Sequence, residues 1–242
     1  MSEKQARPFA VFDIDGTIIR WQLYHAIADE LAKEGHIDSV AFDRARHART
    51  QWKRRASEDS FKDYETTLVN IYENALATLN ADDVMAAVKR VFDEYKEQTY
   101  TYTRDLVSSL REEGYLLFAI SASQEEVVEL LARYYGFDAW AGSIYARSGN
   151  RFTGGKTPLR RGLKVKKLAE FVERFSATYE GSIAVGDSDS DIPMLEIVEQ
   201  PIAFNPDKKL FQHARQQGWK IVLERKNMVY ELEPENGEYK LR

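Results

Sequence analysis

Val11-Phe12-Asp13-Ile14-Asp15-Gly16-Thr17-Ile18-Ile19 is the stretch from which the rest of the chain can be read. The apolar run that begins after Pro8 stops abruptly at two carboxylates one residue apart. A short, continuously apolar run predicts a strand buried on both faces, as in a parallel sheet. Open sheets of that kind bind ligands at the carboxyl ends of their strands, which is where Asp13 and Asp15 fall. Neighbouring carboxylates repel each other and resist burial unless a cation, a proton or hydrogen-bond donors compensate them. Gly16 lets the chain turn sharply beside them.

Downstream the texture becomes helical. Residues 21–33, 38–56, 60–79 and 81–98 carry apolar side chains at helical spacing or are otherwise helix-compatible, with no strand between them. Four successive helices do not belong to an alternating sheet-and-helix core, so an inserted helical bundle is expected over residues 20–100. The core is expected to comprise residues 1–19 and 101–242. There a helix over 103–113 precedes an apolar strand, 115–120, running into Ser121-Ala122-Ser123. Next come a helix over 124–135, a strand pair turning at Gly149-Asn150, and a basic amphipathic helix over 163–175. A short strand, 182–185, meets Gly186-Asp187-Ser188-Asp189-Ser190-Asp191, with a helix from about Ile192 whose first turn suits Pro193. A strand, a helix and a strand follow over 201–204, 207–217 and 219–223. Three strands thus end in polar clusters at Asp13, Ser121 and Asp187, and in a parallel sheet those ends meet on one edge.

The apolar strand, Asp-x-Asp-Gly-Thr and the two isoleucines behind it resemble the first motif of the haloacid dehalogenase superfamily. The helical insert after that motif resembles the phosphoserine-phosphatase-like branch. The resemblance implies an α/β fold, a Rossmann-like doubly wound parallel sheet with a helical cap inserted between the first and second motifs. It also implies a phosphatase that passes through an aspartyl-phosphate. Asp13 matches the nucleophile, and Asp15 the acid that protonates the leaving alkoxide and then activates water. Ser121 and the backbone N–H of Ala122 match the phosphate-binding second motif. Lys164, four residues before Leu168, matches the lysine that holds the phosphoryl group, with Lys156, Lys166 and Lys167 as alternatives. Asp13, the Asp15 carbonyl and Asp187 would ligate Mg2+, with Asp191 behind them orienting a bound water or a basic partner. Magnesium suits such a set because it takes oxygen ligands and keeps several waters.

Cap-side substrate contacts are expected from Arg20, Trp21, Gln22 and Tyr24, with Trp52 and Phe61 as further candidates. Gln22 stands where phosphoserine phosphatases carry a glutamate for the substrate ammonium, which implies some other small phosphomonoester. A phosphotransferase, a receiver-like module and a non-catalytic phosphate-binding module are the alternatives on the same fold.

Other features read more simply. Gly154-Gly155-Lys156-Thr157 resembles the end of a phosphate-binding loop, but Asn150 stands where that motif needs glycine, so a turn is expected. Ser123 reads as the cap of the next helix, Asp189 as a solvent-facing or capping residue, and His25 as a helix-surface residue. The basic run Arg44, Arg46, His47, Arg49, Lys53, Arg54 and Arg55 reads as a solvated helix face. Hydrophobic residues at 43%, charged residues at 30% and a net charge of −5 describe a water-soluble chain without general affinity for nucleic acid or anionic membrane. Absence of cysteine excludes disulfides and thiolate metal sites. The first residues show no apolar leader and no apolar run is long enough to cross a bilayer, so a cytoplasmic protein is expected.

Overall fold

The computed structural model describes residues 6–159 and 161–242. Residues 1–5, on which the expectation about a leader rests, lie outside the described residues. Among the described residues no helix is long and apolar enough to cross a membrane.

The chain forms two compact units, 1–21, 94–143 and 158–242 in the first and 22–93 with 144–157 in the second. The first unit is built on a mostly parallel sheet. Its strands are β1 (Pro8–Phe12), β2 (Leu116–Gln124), the first half of β3 (Ala139–Ser148), β5 (Thr178–Gly186), β6 (Gln200–Phe204), β7 (Lys220–Arg225), β8 (Met228–Glu235) and β9 (Glu238–Leu241). They lie in the order β3-β2-β1-β5-β6-β7-β8-β9, antiparallel only from β7 onward. β1 is central because it is apolar on both faces, with Phe9 to Phe12 wholly buried. On one face Phe9, Val11, Phe118, Ile120 and Ala184 pack with Leu168 and Phe171 of α7 (Arg161–Phe175) and with Leu210 and Ala214 of α9 (Lys208–Gln217). Helices α5 (Thr101–Glu112), α6 (Glu125–Tyr134) and the short α8 (Ile192–Leu195) complete this unit. Pro193 lies in the first turn of α8, where a missing N–H costs nothing.

β8 and β9 continue the sheet past the last strand expected from sequence. Met228, Tyr230 and Leu232 alternate with Val229, Glu231 and Glu233, and the Asn236-Gly237 turn has φ of +55° and +83°, the left-handed pair that closes a tight hairpin. Half-buried Glu231, Glu233 and Glu235 interrupt the apolar residues and hide this strand from a search for apolar runs.

In the second unit α1 (Leu23–Lys33), α2 (Ser39–Lys53), α3 (Ser60–Leu76) and α4 (Ala81–Tyr95) bury one stripe each, among them Leu23, Ile27 and Leu31 on α1 and Val84, Val88 and Val91 on α4. Its boundaries differ from the expected 20–100. The outer half of β3 and all of β4 (Arg151–Thr157) join the helices, because Lys156 pairs with Glu73, the Asn150 amide donates to Asp82 at 2.8 Å, and Tyr145 meets Tyr72 edge-on. Residues 154–157 are therefore strand, not turn; Lys156 lies opposite Tyr145 in the hairpin. Arg20, Trp21 and 94–100 stay with the sheet unit. Arg20 N–H donates to the Gln98 carbonyl and Tyr100 N–H to that of Ile18, both at 2.9 Å, so the two crossings of the chain form a short ladder.

His25 is not on a helix surface. It is fully buried, 4.8 Å from the Tyr64 ring and 4.2 Å from that of Tyr24, and Tyr64 accepts a 2.8 Å bond from Arg49, whose guanidinium also grips Asp29. One member of the basic run is thus structural, while Arg44, Lys53, Arg54 and Arg55 are exposed. Burial, and secondarily the charge of Arg49, lowers the His25 pKa to about 3. An unfolded chain takes up this proton below pH 6.5 and the native chain does not, so the contribution to stability is complete above 6.5 and is lost as pH falls toward 3. Denaturant titrations between about pH 7 and 4 should show stability falling by up to about 1.4 kcal/mol per pH unit from this group alone, with the slope reduced in His25→Phe. Identical slopes in the two proteins would refute the assignment.

Candidate active site

Strand register brings the polar clusters together. Phe12 is paired with Ala119 on one side and Val185 on the other, so Asp13 follows directly at the sheet edge while Ser121 and Asp187 lie two residues beyond their paired positions. Asp13 N–H still reaches the Val185 carbonyl at 3.0 Å. The amides of Thr17, Ile18 and Ile19 then converge on the Ile14 carbonyl, folding the loop back over β1. Gly16 makes the fold-back possible twice over. Its φ is +78°, and any Cβ there would overlap the Asp187 carboxylate.

Lys164 is 2% exposed, and its Nζ donates to Asp13 Oδ1 at 2.7 Å and to Asp191 Oδ1 at 2.6 Å. The competing lysines are elsewhere, Lys156 with Glu73, Lys167 with Glu170, and Lys166 exposed. Asp191, fully buried, also accepts from the Ser188 amide and hydroxyl, both at 3.1 Å. Gly186 allows this close return, since a side chain there would meet Asp191. Ser121 donates to Asp15 Oδ2 at 2.6 Å and accepts from Ser123 N–H.

Ser123 is not the cap of α6, whose N-cap position is Gln124 without a side-chain bond. Residues 121–123 instead leave the β2/β3 ladder where its register slips, and the exposed Ala122 is held through its carbonyl by Ser143 Oγ at 2.6 Å. Asp189 accepts from Lys209 at 3.2 Å.

Ligand oxygens of Asp13, Asp187 and Asp191 all lie within 4.8 Å of one another. A single ammonium cannot balance these carboxylates and Asp15 together. Burial, opposed by Lys164 and reinforced by Asp191 and Asp15, raises Asp13 to about 8. Burial and then the charges of Asp13 and Asp191 hold Asp187 well above the usual carboxylate range, although part of its surface stays accessible. Lys164 lies above its ordinary value because Asp13 and Asp191 outweigh its burial, so the ammonium is kept and the surplus is negative. A hard divalent cation is what such an oxygen set lacks. Asp191 is committed on both oxygens, which leaves Asp13 and Asp187 as the carboxylates facing such an ion.

Of the expected substrate contacts, Arg20 is turned to Glu224 at 3.1 Å and lies over the Tyr100 ring. Gln22 is the N-cap residue of α1, and Tyr24 and Trp21 are half-buried. In the second unit Trp52 stacks on Tyr64 at 5.5 Å, with Phe61 5.0 Å away. Glu224 carries no signal in the sequence beyond its position on an apolar strand.

A sequence-family model described as haloacid dehalogenase-like hydrolase matches residues 10–196. A histidinol-phosphatase of Neisseria meningitidis is 26% identical over 227 residues, which cover 88% of this chain and 97% of the relative. A solved protein of unknown function from Bordetella pertussis shares the fold with a TM-score of 0.72 at 23% identity, over 90% of this chain and 98% of that one. A phosphoserine phosphatase, solved as an analogue of its phospho-aspartyl intermediate, has a TM-score of 0.64 at 19% identity over 92% and 95%.

Proposed function

Since the chain belongs to the haloacid dehalogenase-like hydrolases, we propose that it is a phosphoric monoester hydrolase that works on a small phosphorylated metabolite through phospho-Asp13. The observation that carries this reading is the buried Lys164 ammonium bridging Asp13 and Asp191 at the sheet edge, with Asp187 alongside.

An Asp13 oxygen attacks phosphorus as the ester P–O bond breaks, and Asp15 gives its proton to the departing alkoxide. Water then attacks the phosphorus of phospho-Asp13. Asp15 takes the water's proton, the bond between phosphorus and Asp13 breaks, and inorganic phosphate leaves with the carboxylate restored. Lys164 offsets charge on Asp13 and on the equatorial oxygens, where positioning and charge neutralisation supply most of the catalysis. Ser121 Oγ, within reach of Asp15 in this structure, is the donor for a phosphoryl oxygen, with Ala122 N–H beside it. Asp13, the Asp15 carbonyl and Asp187 would hold Mg2+, which supplies positive charge to the phosphoryl oxygens.

Phosphate release from a panel of phosphomonoesters with magnesium tests the proposal. L-histidinol phosphate and O-phosphoserine belong in the panel because relatives carry those names. Turnover should be lost with chelator, and Asp15→Asn should lower kcat by roughly 10²- to 10⁴-fold, the usual worth of a positioned proton donor. Turnover indifferent to chelator and to Asp15→Asn would defeat the mechanism. Absence of turnover by the folded protein across the panel would defeat the activity.

A further inference from the structure

Helix α5 begins without a cap of its own. Its N-cap residue is Tyr100, whose side chain makes no capping bond. Yet the first amides of a helix need acceptors, and its positive end favours an anion. Both needs are met from the far side of the sequence. Glu224, on β7 and 7% exposed, accepts from Thr101 N–H at 3.1 Å and from Tyr102 N–H at 2.9 Å, while Arg20 Nη2 reaches Oε1 at 3.1 Å. The carboxylate is thus fully compensated although buried, by two helix amides and a guanidinium.

The first turn of α5 in turn holds the loop that carries Asp15. Thr103 Oγ1 donates to the Thr17 carbonyl at 2.7 Å, a buried bond, and Tyr100 N–H donates to Ile18 O at 2.9 Å. On its other side Glu224 is anchored by its own N–H to Asn205 Oδ1 at 2.8 Å. Asn205 has a left-handed φ of +42°, and two residues on, Asp207 N–H donates to the Asp187 carbonyl at 2.8 Å. The Asp207 carboxylate accepts from Asp189 N–H at 3.0 Å. One connection after β6 therefore ties the Asp187 loop to Glu224, and Glu224 ties the start of α5 to the Asp15 loop.

The geometry points to Glu224 as a positioning residue for Asp15: its carboxylate sets where α5 begins, and α5 sets the Thr17–Ile18 backbone on which Asp15 hangs. This rests on the proton-transfer role given to Asp15 above. A neutral amide at position 224 must either face an N–H donor with another donor or deprive Arg20 and one helix amide of this acceptor.

Glu224→Gln should lower kcat by roughly 10- to 100-fold, the scale of a displacement near 1 Å at the reacting group. Inhibition by inorganic phosphate should be unchanged, because Lys164 and Ser121 stay in place. Thr103→Val, which cuts the link one step nearer Asp15, should reproduce the loss, and Thr103→Ser, which keeps the hydroxyl, should restore it. The double variant Glu224→Gln/Thr103→Val should be no slower than the worse single one, since both break one path. Hydrogen exchange supplies a readout that needs no activity, in which amides of residues 17–19 and 101–103 should exchange faster in Glu224→Gln while those of α9 keep wild-type protection. Unchanged kcat in Thr103→Val, multiplicative losses in the double variant, or wild-type exchange at 17–19 would each overturn the inference. If wild type shows no phosphomonoesterase activity, the proposed function fails, while the exchange experiment still decides the link between Glu224 and the loop.

Discussion

Asp13→Asn should abolish phosphate release, with a loss on the order of 10⁵-fold or more, and should at the same time make the metal-free protein more stable at alkaline pH. The loss of activity follows from removing the oxygen that attacks phosphorus, a change for which neighbouring groups do not substitute. The gain in stability follows from the charge surplus. With Asp13 raised to about 8 against 3.8 for an ordinary aspartate, the native metal-free protein keeps a proton that the unfolded chain has released between those values. Stability from this group is complete below about pH 4 and is lost as pH rises through 8. Asparagine stays neutral throughout, so in chelator Asp13→Asn should unfold at a higher midpoint than wild type at about pH 8 to 9. The difference should be worth a few kcal/mol, at about 1.4 kcal/mol for each pH unit separating the native and unfolded carboxyl, and it should close near pH 4. Magnesium should narrow the gap from the other direction by stabilising wild type. A variant that is less stable than wild type at every pH would show that the carboxylates are not in surplus.

Removing Lys164 should have the converse effect. Lys164→Met leaves Asp13 and Asp191 facing each other without the ammonium that now lies 2.7 and 2.6 Å from them. Breaking a buried pair from one side costs about 3 to 5 kcal/mol, which for a chain of this size lowers the melting temperature by roughly 6 to 20 °C. Turnover should fall at least about 10³-fold, because the phosphoryl group loses its principal cation. Adding Asp191→Asn should recover part of the stability and none of the turnover. Lys166→Met and Lys167→Met, on the exposed and half-exposed faces of the same helix, should change stability by no more than about 0.5 kcal/mol. Melting curves of the four proteins, with phosphate release measured on each, decide the matter, and a Lys164→Met variant as stable as Lys166→Met would refute the buried bridge.

Local chemistry made much of this legible in advance. The apolar run before Asp13, the polar residues after 115–120 and the acidic run after 182–185 mark three strands and where each one stops, because burial and charge change within a residue or two. Helical periodicity likewise marks α1 to α4 as a block without strands. What it missed has two causes. His25, Lys156 and residues 144–157 have their places set by partners distant in sequence, Tyr64 and Arg49 for His25 and Glu73 for Lys156, whereas the β8/β9 hairpin pairs with its chain neighbour β7 and was hidden by its composition. The Asn236-Gly237 turn was the available signal for β9, and alternation with charged residues masked it.

Sequence by itself therefore determined the parallel α/β core, the family resemblance and the three strand ends that carry Asp13, Ser121 and Asp187, since each depends on contiguous burial and on residues within a single turn. Among the four lysines, of which the resemblance favours Lys164, tertiary structure decided which reaches Asp13, since that depends on how α7 is rotated against β1. It also decided that Asp191 is bound to Lys164 and Ser188, and that a glutamate more than a hundred residues away caps α5. A buried charge takes whichever partner the fold brings within about 3 Å, and sequence separation does not enter that choice.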